Sequence, residues 1–292
     1  MRIGAGGQPN KSRSKPYKLE IMDKYIDIFK KLEDGLKQSL KAAGKDLGKE
    51  FERCKNLAYR RRPDADYFNM LKLIPFYSGF KAEIVDQKLD ILHKYFPTYS
   101  EVAKITTAKQ RRILSAAGMI NNPQKVKAVV DNAKAFQLVI DQYKSFHNYL
   151  EGFRPTETLE NLILLMEDLQ CRFSYLGKTT VFHFMTEMGL PVLKPDRVIM
   201  RVFRRLGLVE NERQFWRATM EGRKFAAANS ISIRYVDIVI VKYGQKGRGA
   251  VCLQRPKCKI CLLQEHCDYY RKRGVFGPPA RGRQPARKKQ ES

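Results

Sequence analysis

Four closely spaced cysteines are the first residues whose chemistry can be inferred from type and spacing. Cys252, Cys258, Cys261 and Cys267 follow one another in the pattern Cys-x5-Cys-x2-Cys-x5-Cys. Four thiolates can bind either a [4Fe–4S] cluster or a tetrahedral zinc ion. Because zinc sites more often pair two Cys-x2-Cys units and only one is present here, the pattern favours iron–sulfur, with zinc as the alternative.

A second candidate site is the segment 171–196, which predicts two helices joined by a tight turn. Leu176-Gly177-Lys178-Thr179 forms the turn, and Gly189-Leu190-Pro191 ends the second helix. A glycine lets a ligand approach the backbone closely, and a helix N-terminus attracts anions. Such a hairpin can hold a DNA backbone without reading its sequence, although short glycine turns also join ordinary packed helices. The candidate DNA-binding residues are Leu176, Gly177, Thr179 and Thr180.

Asp196 and Lys178 are the candidate catalytic residues of this segment. A carboxylate stabilises the oxocarbenium-like sugar that forms when a glycosidic bond breaks, and it can orient the attacking water or amine. An aspartate at the start of a helix can also be a plain N-cap. The helix dipole disfavours the protonated form of Lys178, so its amine can attack the sugar carbon; the alternative role is a phosphate contact.

The helix expected after Asp196 carries a row of arginines opposite an apolar face. Arg197, Arg201 and Arg204 recur at helical spacing. The row can line a DNA duplex, in which case Arg197 and Arg201 bind phosphates, or it can be an ordinary solvated helix face.

The rest of the chain predicts an all-α fold. Apolar residues recur at steps of three and four, and Pro123 after two asparagines is a favourable start for a helix of about two dozen residues. Only the run IRYVDIVIVKY, residues 233–243, is rich enough in β-branched residues to suggest a strand, and a buried helix has the same composition over so short a stretch.

Charge indicates a polyanionic partner. The formal net charge is +26, of which about +15 lies between residues 19 and 267, so the folded part itself is basic and nucleic acid is the leading partner. Residues 1–18 and 271–292 are predicted to be disordered basic tails around a single functional domain, 19–270. No apolar run approaches the roughly 20 residues that span a bilayer, and the first residues do not resemble a signal peptide. We expect a monomer in the cytoplasm or nucleoid, or in a nucleus.

The hairpin segment resembles the helix-hairpin-helix DNA glycosylase superfamily. In its endonuclease III branch a hairpin lysine precedes an essential aspartate by eighteen positions, as Lys178 precedes Asp196, and Gly189 and Pro191 match the branch's Gly-x-Pro. The loop 252–267 is similar to the iron–sulfur loop of that branch, with one residue fewer in its first spacing. The resemblance implies a two-lobed fold with a DNA cleft between the lobes, a catalytic Asp196 and a [4Fe–4S] cluster.

Residues 109–185 are similar to 3-methyladenine DNA glycosylase I, in the stretches RRILSAAGMINNPQKVKAVVDNAKAF, FHNYLEGF and RFSYLGKTTVFHFM. That family recognises methylated adenine with a glutamate after its first helix and binds zinc near its two ends. Here the corresponding stretch, LKLIPFYSGFKAE, has no acidic residue before Glu83, and the terminal zinc ligands are absent. The resemblance implies excision of a damaged, alkylated purine.

A glycosylase must take its target base out of the duplex, so a pocket is required. Phe76 and Tyr77 lie in the helix that lines the pocket of the related families and can stack on a base, although helical aromatic residues more often belong to the core. Trp216 has the same two interpretations.

The sequence thus predicts a DNA-repair glycosylase acting on double-stranded DNA that contains a damaged base. Two alternatives stay open. The first is a bifunctional glycosylase and AP lyase for oxidised bases, with Lys178 as nucleophile. The second is a DNA-binding iron–sulfur protein without catalytic activity.

Overall fold

The computed structural model describes residues 14–276 apart from 246 and 248, and over that part of the chain it contains helices and no strands. The predicted all-α class is confirmed. Two short 3₁₀ turns, Cys258–Ile260 and Gln264–His266, lie in the cysteine loop. None of the described helices is long and apolar enough to cross a membrane. In chain order the α-helices are α1 (Ser14–Ala42), α2 (Gly48–Lys55), α3 (Asp64–Tyr77), α4 (Ala82–Asp86), α5 (Leu89–Tyr95), α6 (Tyr99–Val102), α7 (Thr107–Leu114), α8 (Pro123–Tyr143), α9 (Phe146–Glu151), α10 (Leu159–Arg172), α11 (Thr180–Glu187), α12 (Arg197–Arg205), α13 (Phe215–Asn229), α14 (Ile233–Gly244) and α15 (Asp268–Phe276).

Both predicted tails are shorter than expected. Helix α1 begins at Ser14 and α15 continues to Phe276, so residues 14–18 and 271–276 are helical. Pro16 is compatible with this start because a proline in the first turn of a helix removes no intrahelical hydrogen bond. The remainder of the two predicted tails, 1–13 and 277–292, lies outside the described residues.

The buried apolar side chains form two clusters, which confirms the predicted two-lobed architecture. Lobe 1 is built from α3 to α11. Lobe 2 is built from α1, α2 and α12 to α14, together with residues of the cysteine loop. Because lobe 2 contains both ends of the folded chain, the chain crosses the junction twice, at 56–63 and at 188–196. The hairpin therefore belongs to lobe 1, whereas Asp196 begins the first helix of lobe 2 after the return crossing.

The run 233–243 is a buried helix, α14. Its start is set by Ser232, whose side chain accepts a hydrogen bond from the backbone N–H of Tyr235 at 3.0 Å. Helix α14 packs against α1, α2, α12 and α13. Since nearly every face is covered, no polar stripe appears in its sequence, which is why periodicity alone could not separate it from a strand.

The two crossings of the junction touch at Gly189. The φ angle of Gly189 is +85°, and a Cβ placed there would lie 2.6 Å from the carbonyl carbon of Ala58 in the outgoing crossing. Only glycine combines this backbone conformation with so close an approach. The Gly-x-Pro signature therefore has a structural reason at this position, independent of any ligand.

Gly189→Ala should consequently lower the free energy of unfolding by at least about 3 kcal/mol, through strain at positive φ and displacement of the 58–59 backbone. Gly79→Ala is the matched control, because Gly79 also has a positive φ, +80°, but has no atom within 4 Å of the added carbon. It should cost only the strain, about 1–2 kcal/mol. Urea denaturation of both variants measures the difference; equal losses would contradict a tight contact at Gly189.

Candidate active site and four-cysteine centre

The hairpin turn between α10 and α11 is held by side chains rather than by its own backbone. Buried Asn132 brackets Ser174, accepting from its N–H at 2.7 Å and donating to its carbonyl at 3.0 Å. The Thr180 hydroxyl donates to the carbonyls of Tyr175 and Gly177. The Leu176 side chain is 2% exposed, within the lobe 1 core. Leu176 therefore offers only its backbone to a ligand, and Thr180 uses its hydroxyl to stabilise the turn.

The backbone N–H groups at the start of α11 remain open. Within the described residues, those of Lys178, Thr179 and Thr180 make no hydrogen bond. Thr179 precedes the helix without a side-chain capping bond. Beside them, a Cβ at Gly177 would meet nothing nearer than the Thr180 hydroxyl oxygen at 3.9 Å. Open N–H groups, a positive helix end and free space next to a glycine are the features of an anion-binding turn.

Gly177→Ala tests this interpretation, because the fold itself does not require glycine at 177. We expect the free energy of unfolding to stay constant or to rise by up to about 1 kcal/mol. Duplex affinity should fall about tenfold, equivalent to about 1.4 kcal/mol, because the methyl group occupies the space next to the phosphate. Fluorescence anisotropy at fixed salt measures the affinity. Unchanged affinity would mean that DNA does not approach the turn at Gly177.

Asp196 combines a capping role with an open oxygen. Its Oδ1 accepts from the backbone N–H groups of Val198 at 2.8 Å and Ile199 at 3.0 Å. Within the described part of the chain no hydrogen bond reaches Oδ2, and the residue is half-buried. The N-cap and catalytic interpretations are thus compatible, since one carboxylate oxygen holds α12 and the other is available.

A buried polar chain holds the segment before Asp196 in place. The backbone N–H of Lys194 donates to Asp237 Oδ2 at 3.1 Å. Arg234 binds the other oxygen of Asp237 at 2.6 Å and reaches Glu187 of α11 at 2.8 Å. Sequence reasoning missed Arg234 and Asp237, although the signal was present as two charges within the apolar run 233–243.

Burial shifts the pKa values of two side chains at this polar network, Asp237 and His183. It raises the pKa of Asp237 to about 6, although the Arg234 guanidinium opposes the shift. It also lowers the pKa of His183 well below the ordinary value, with the charges of Lys194 and Arg234 acting in the same direction. His183 is therefore neutral at neutral pH, and its 3.8 Å approach to Glu187 is not an ion pair there.

The raised pKa of Asp237 predicts a pH-dependent stability. Between the ordinary value of 3.8 and about 6, the folded protein binds more protons than the unfolded chain. The contribution of Asp237 to the free energy of unfolding therefore falls as pH rises through that interval, by up to about 3 kcal/mol, and is constant above it.

Asp237→Asn should remove this dependence while keeping an acceptor for the Lys194 N–H. At pH 4, where Asp237 is protonated in the folded protein, the variant should have nearly the stability of the wild type, and the difference between the two should change by up to about 3 kcal/mol as the pH rises to 7. Urea denaturation of both proteins from pH 4 to 7 gives the difference in stability. A difference that does not change with pH would contradict the raised pKa.

The arginines of α12 do not form one DNA-facing row. Arg197 is exposed. Arg204 is exposed and lies 3.6 Å from Glu212. Arg201 instead donates to the carbonyl of Gly244 at 2.6 Å, at the C-terminus of α14. The guanidinium of Arg201 thus caps a helix of its own lobe, and its contact with a phosphate stays a prediction.

The two aromatic residues at the end of α3, Phe76 and Tyr77, lie in different environments. Phe76 is fully buried in the core of lobe 1, 6.1 Å from the ring of Phe96. Its ring cannot stack on a base without unpacking the lobe, which corrects that part of the predicted pocket. Tyr77 is half-buried, donates to Asp86 at 2.7 Å and lies against the ring of His183.

A cavity of about 390 Å³ lies between the hairpin and the start of α13. Phe182 and Trp216 form an edge-to-face pair in its wall, with ring centroids 5.1 Å apart. Lys178 lies at this cavity, whereas Asp196 is not among its lining residues. The lining residues are Met166, Gln170, Lys178, Phe182, Arg213, Gln214, Phe215, Trp216 and Arg217.

All four cysteines of the loop line a single enclosed cavity next to α12. Arg205 donates to the Cys252 sulfur at 3.2 Å, and the buried Tyr243 hydroxyl donates to the Cys261 sulfur at 3.2 Å. Donors around sulfur are typical of sites that hold thiolates. The donor set and the shared cavity therefore fit a metal centre bound by four thiolates.

Among the described residues, the one group of three possible metal ligands whose atoms lie within 4.8 Å of one another is outside the cysteine set and consists of Asp27, Glu265 and His266. That acidic group already holds Lys31, whose ammonium pairs with Asp27 at 2.8 Å.

The part of the chain that matches a known protein family is lobe 1, which contains the hairpin. The model of the methyladenine glycosylase family matches residues 58–194, which is somewhat less than half of the chain and ends two residues before Asp196. The predicted resemblance to methyladenine glycosylases is confirmed for this segment, which corresponds to lobe 1 and the return crossing.

Two solved structures illustrate the likeness. The 3-methyladenine DNA glycosylase I of Staphylococcus aureus is 20% identical, with a TM-score of 0.39 over 46% of this chain and 81% of that chain. The 8-oxoguanine DNA glycosylase of Thermotoga maritima is 16% identical, with a TM-score of 0.45 over 79% of this chain and 98% of that chain. Because both TM-scores are below 0.5, neither likeness adds to the fold described above.

Proposed function

We propose that this protein is a DNA base-excision glycosylase that removes a damaged base from double-stranded DNA. The observation that carries the proposal is Asp196, whose Oδ1 is fixed by two helix N–H groups while Oδ2 stays free of hydrogen bonds within the described residues. A carboxylate held in one orientation with one open oxygen suits a developing positive charge, since it needs little reorganisation. The open hairpin N–H groups on the other lobe support binding of the DNA backbone beside it.

The reaction follows from these parts. Phosphates bind at the N-terminus of α11 and at the exposed Arg197, which orients the duplex. The damaged nucleotide leaves the stack, and its N-glycosidic bond breaks, so positive charge forms on the sugar. Asp196 stabilises that charge and accepts a proton from the attacking water. The oxygen of that water bonds to C1′, the base keeps the electron pair of the broken bond, and the proton held by Asp196 passes to the departing base or, where an alkylated base leaves as a neutral molecule, to solvent.

The first substrate class to test is the alkylated purine of the 3-methyladenine type. The family match over residues 58–194 supports this class. The absence of an acidic residue between Leu71 and Lys81 is a difference from the related pattern, so the assay includes other lesions. We further propose that the protein acts as a monomer, in the cytoplasm or nucleoid or in a nucleus.

Asp196→Asn should reduce base release at least about hundredfold, because the amide cannot stabilise the charged sugar. Asparagine is as good an N-cap as aspartate, so stability and duplex affinity should be preserved. Single-turnover release would be measured on duplexes that each contain 3-methyladenine, 7-methylguanine, hypoxanthine, uracil, an oxidised pyrimidine or 8-oxoguanine. Asp131→Asn, the same change at a surface ion pair with Lys127, is the matched control.

No release from any lesion by the wild type, with duplex binding intact, would instead favour the DNA-binding protein without catalytic activity. Release that survives in Asp196→Asn would remove the assigned role from this carboxylate.

A bifunctional glycosylase and lyase is the second candidate, favoured by the position of Lys178. Its side chain is exposed at the hairpin and lies at the cavity beside α13. Attack of its amine on C1′ would form a Schiff base that borohydride reduces to a stable protein–DNA adduct. An adduct that is lost in Lys178→Ala supports the lyase. Base release without an adduct leaves Lys178 as a phosphate contact.

We propose that Cys252, Cys258, Cys261 and Cys267 hold a [4Fe–4S] cluster, supported by the shared cavity and by the Cys-x5-Cys-x2-Cys-x5-Cys pattern. Such a cluster would tie the loop into one unit and present Arg255, Lys257 and Lys259 to phosphates. Anaerobically purified protein should contain about four iron and four sulfide per chain, and Cys258→Ser should lower both. Cys171→Ser is the control, because Cys171 is exposed and outside the loop. One zinc per chain without sulfide would contradict the cluster.

A further inference from the structure

The cavity beside the hairpin has no part in the reaction proposed for Asp196. It opens on the hairpin side of lobe 1 and on the first turn of α13 in lobe 2, so it spans the junction between the lobes. Its volume of about 390 Å³ is within the range of small-molecule sites. It therefore has room for a nucleobase with part of its sugar.

The walls of the cavity are aromatic. Phe182 is 2% exposed and anchored in lobe 1. Trp216 is half-buried and meets Phe182 edge to face, and within the described residues its indole N–H has no hydrogen-bond partner. A fixed aromatic pair with one accessible indole face is a platform on which any base can stack.

The rim of the cavity is cationic and polar. Neither Lys178 nor Arg213 forms an ion pair within the described residues, while Arg217 pairs with Glu221 at 3.0 Å. No acidic residue lines the cavity. Gln214 accepts from the N–H of Glu210 at 2.8 Å, which leaves its NH2 as a donor toward a ligand. An aromatic wall with free cations at its edge is complementary to a nucleotide, with its base inside and its phosphate at the rim.

We propose that this cavity receives the everted nucleotide, with its base stacked on Trp216 and its phosphate held by Lys178 and Arg213. The inference rests on the proposed glycosylase function and moves the base pocket away from the end of α3. Phe76 is buried there and Tyr77 is engaged with Asp86, whereas the Trp216 cavity has open space and unpaired polar groups. From the sequence, Trp216 could be either a core residue or a residue that stacks on a base. In this proposal it is a substrate contact.

The chain itself provides the probe, because Trp216 is its only tryptophan. Intrinsic tryptophan fluorescence thus reports this cavity alone. The duplexes carry 2′-fluoro-stabilised 7-methylguanine, 2′-fluoro-stabilised 8-oxoguanine, undamaged guanine or a tetrahydrofuran abasic analogue, and anisotropy of a labelled strand records binding independently. We expect quenching by a duplex whose lesion can be everted, and none by the abasic analogue at equal occupancy, because only the former brings a base to the indole.

Variants separate this pocket from its rival. Trp216→Ala should reduce the preference for a lesion over undamaged duplex about tenfold, and Trp216→Phe should retain most of it, because an aromatic face remains. Phe80→Ala is the matched control, since Phe80 is an exposed aromatic residue just beyond α3. If Phe80→Ala loses the preference and Trp216→Ala retains it, the base binds at the end of α3 and the proposal is overturned.

The failures of the two proposals are distinguishable. Base release that collapses in Asp196→Asn but continues at the wild-type rate in Trp216→Ala leaves the glycosylase standing and removes the pocket. Lesion-dependent quenching of Trp216 without base release from any duplex leaves the pocket standing and removes the enzymatic function. Equal quenching by the lesion and abasic duplexes would show that Trp216 senses the DNA backbone rather than a base.

Discussion

One guanidinium, that of Arg234, joins the two lobes at the point where the chain returns to lobe 2. It binds Glu187 on the hairpin helix of lobe 1 and Asp237 within lobe 2, and Asp237 in turn holds the backbone N–H of Lys194. Two carboxylates from different lobes thus share one cation at the point where the chain returns across the junction. Because Lys194 lies two residues before Asp196, this pair of contacts helps to set where the proposed catalytic carboxylate stands relative to the hairpin. A buried ion pair of this kind adds little net stability but specifies geometry, since breaking it leaves a charge unpaired.

The positive charge of the chain is divided between internal cations and exposed ones. Composition alone cannot separate the two groups. Several cations are internal. Lys125 donates to the carbonyls of Pro75 and Ser78 at the end of α3 and lies 5.3 Å from the ring of Tyr175 in the hairpin. Lys72 is fully buried and donates to the carbonyl of Phe96, and burial lowers its pKa to about 8. These amines replace water as partners of carbonyls at helix ends and loops. Other cations are exposed, among them those that we propose contact DNA at the hairpin, at the start of α12 and on the cysteine loop.

The cysteine loop extends lobe 2 rather than forming a separate unit. Arg205, in the last turn of α12, reaches the sulfur of Cys252 and the carbonyl of Gln254, and its guanidinium lies 4.7 Å from the ring of Tyr269. Tyr243 of α14 approaches the sulfur of Cys261. The helix that begins at Asp196 therefore ends at the four-cysteine centre. Loss of the centre would loosen the C-terminal end of the helix whose N-terminus carries the proposed catalytic group.

Local pattern determined much of this protein from sequence alone. The helical class, the start of α8 at Pro123, the turn at Gly177, the end of α11 near Gly189 and the helix start at Asp196 all followed from periodicity and from capping and turn residues, whose effects act within a few positions. The spacing of the four cysteines similarly identified a common site, because ligands of one centre must lie close together along such a loop.

Only the tertiary structure decided which side chains are free to act. Arg201 and Thr180 have the residue types of DNA contacts, yet one caps α14 and the other closes the hairpin. Phe76 and Trp216 have the same aromatic character, yet one is in the core and the other borders a cavity. Arg234 and Asp237 are visible in the sequence as two charges in an apolar run, but their partners, 47 and 43 positions away, are known only from the packed structure. Burial and long-range pairing are properties of the packed chain, and no local pattern of residues records them.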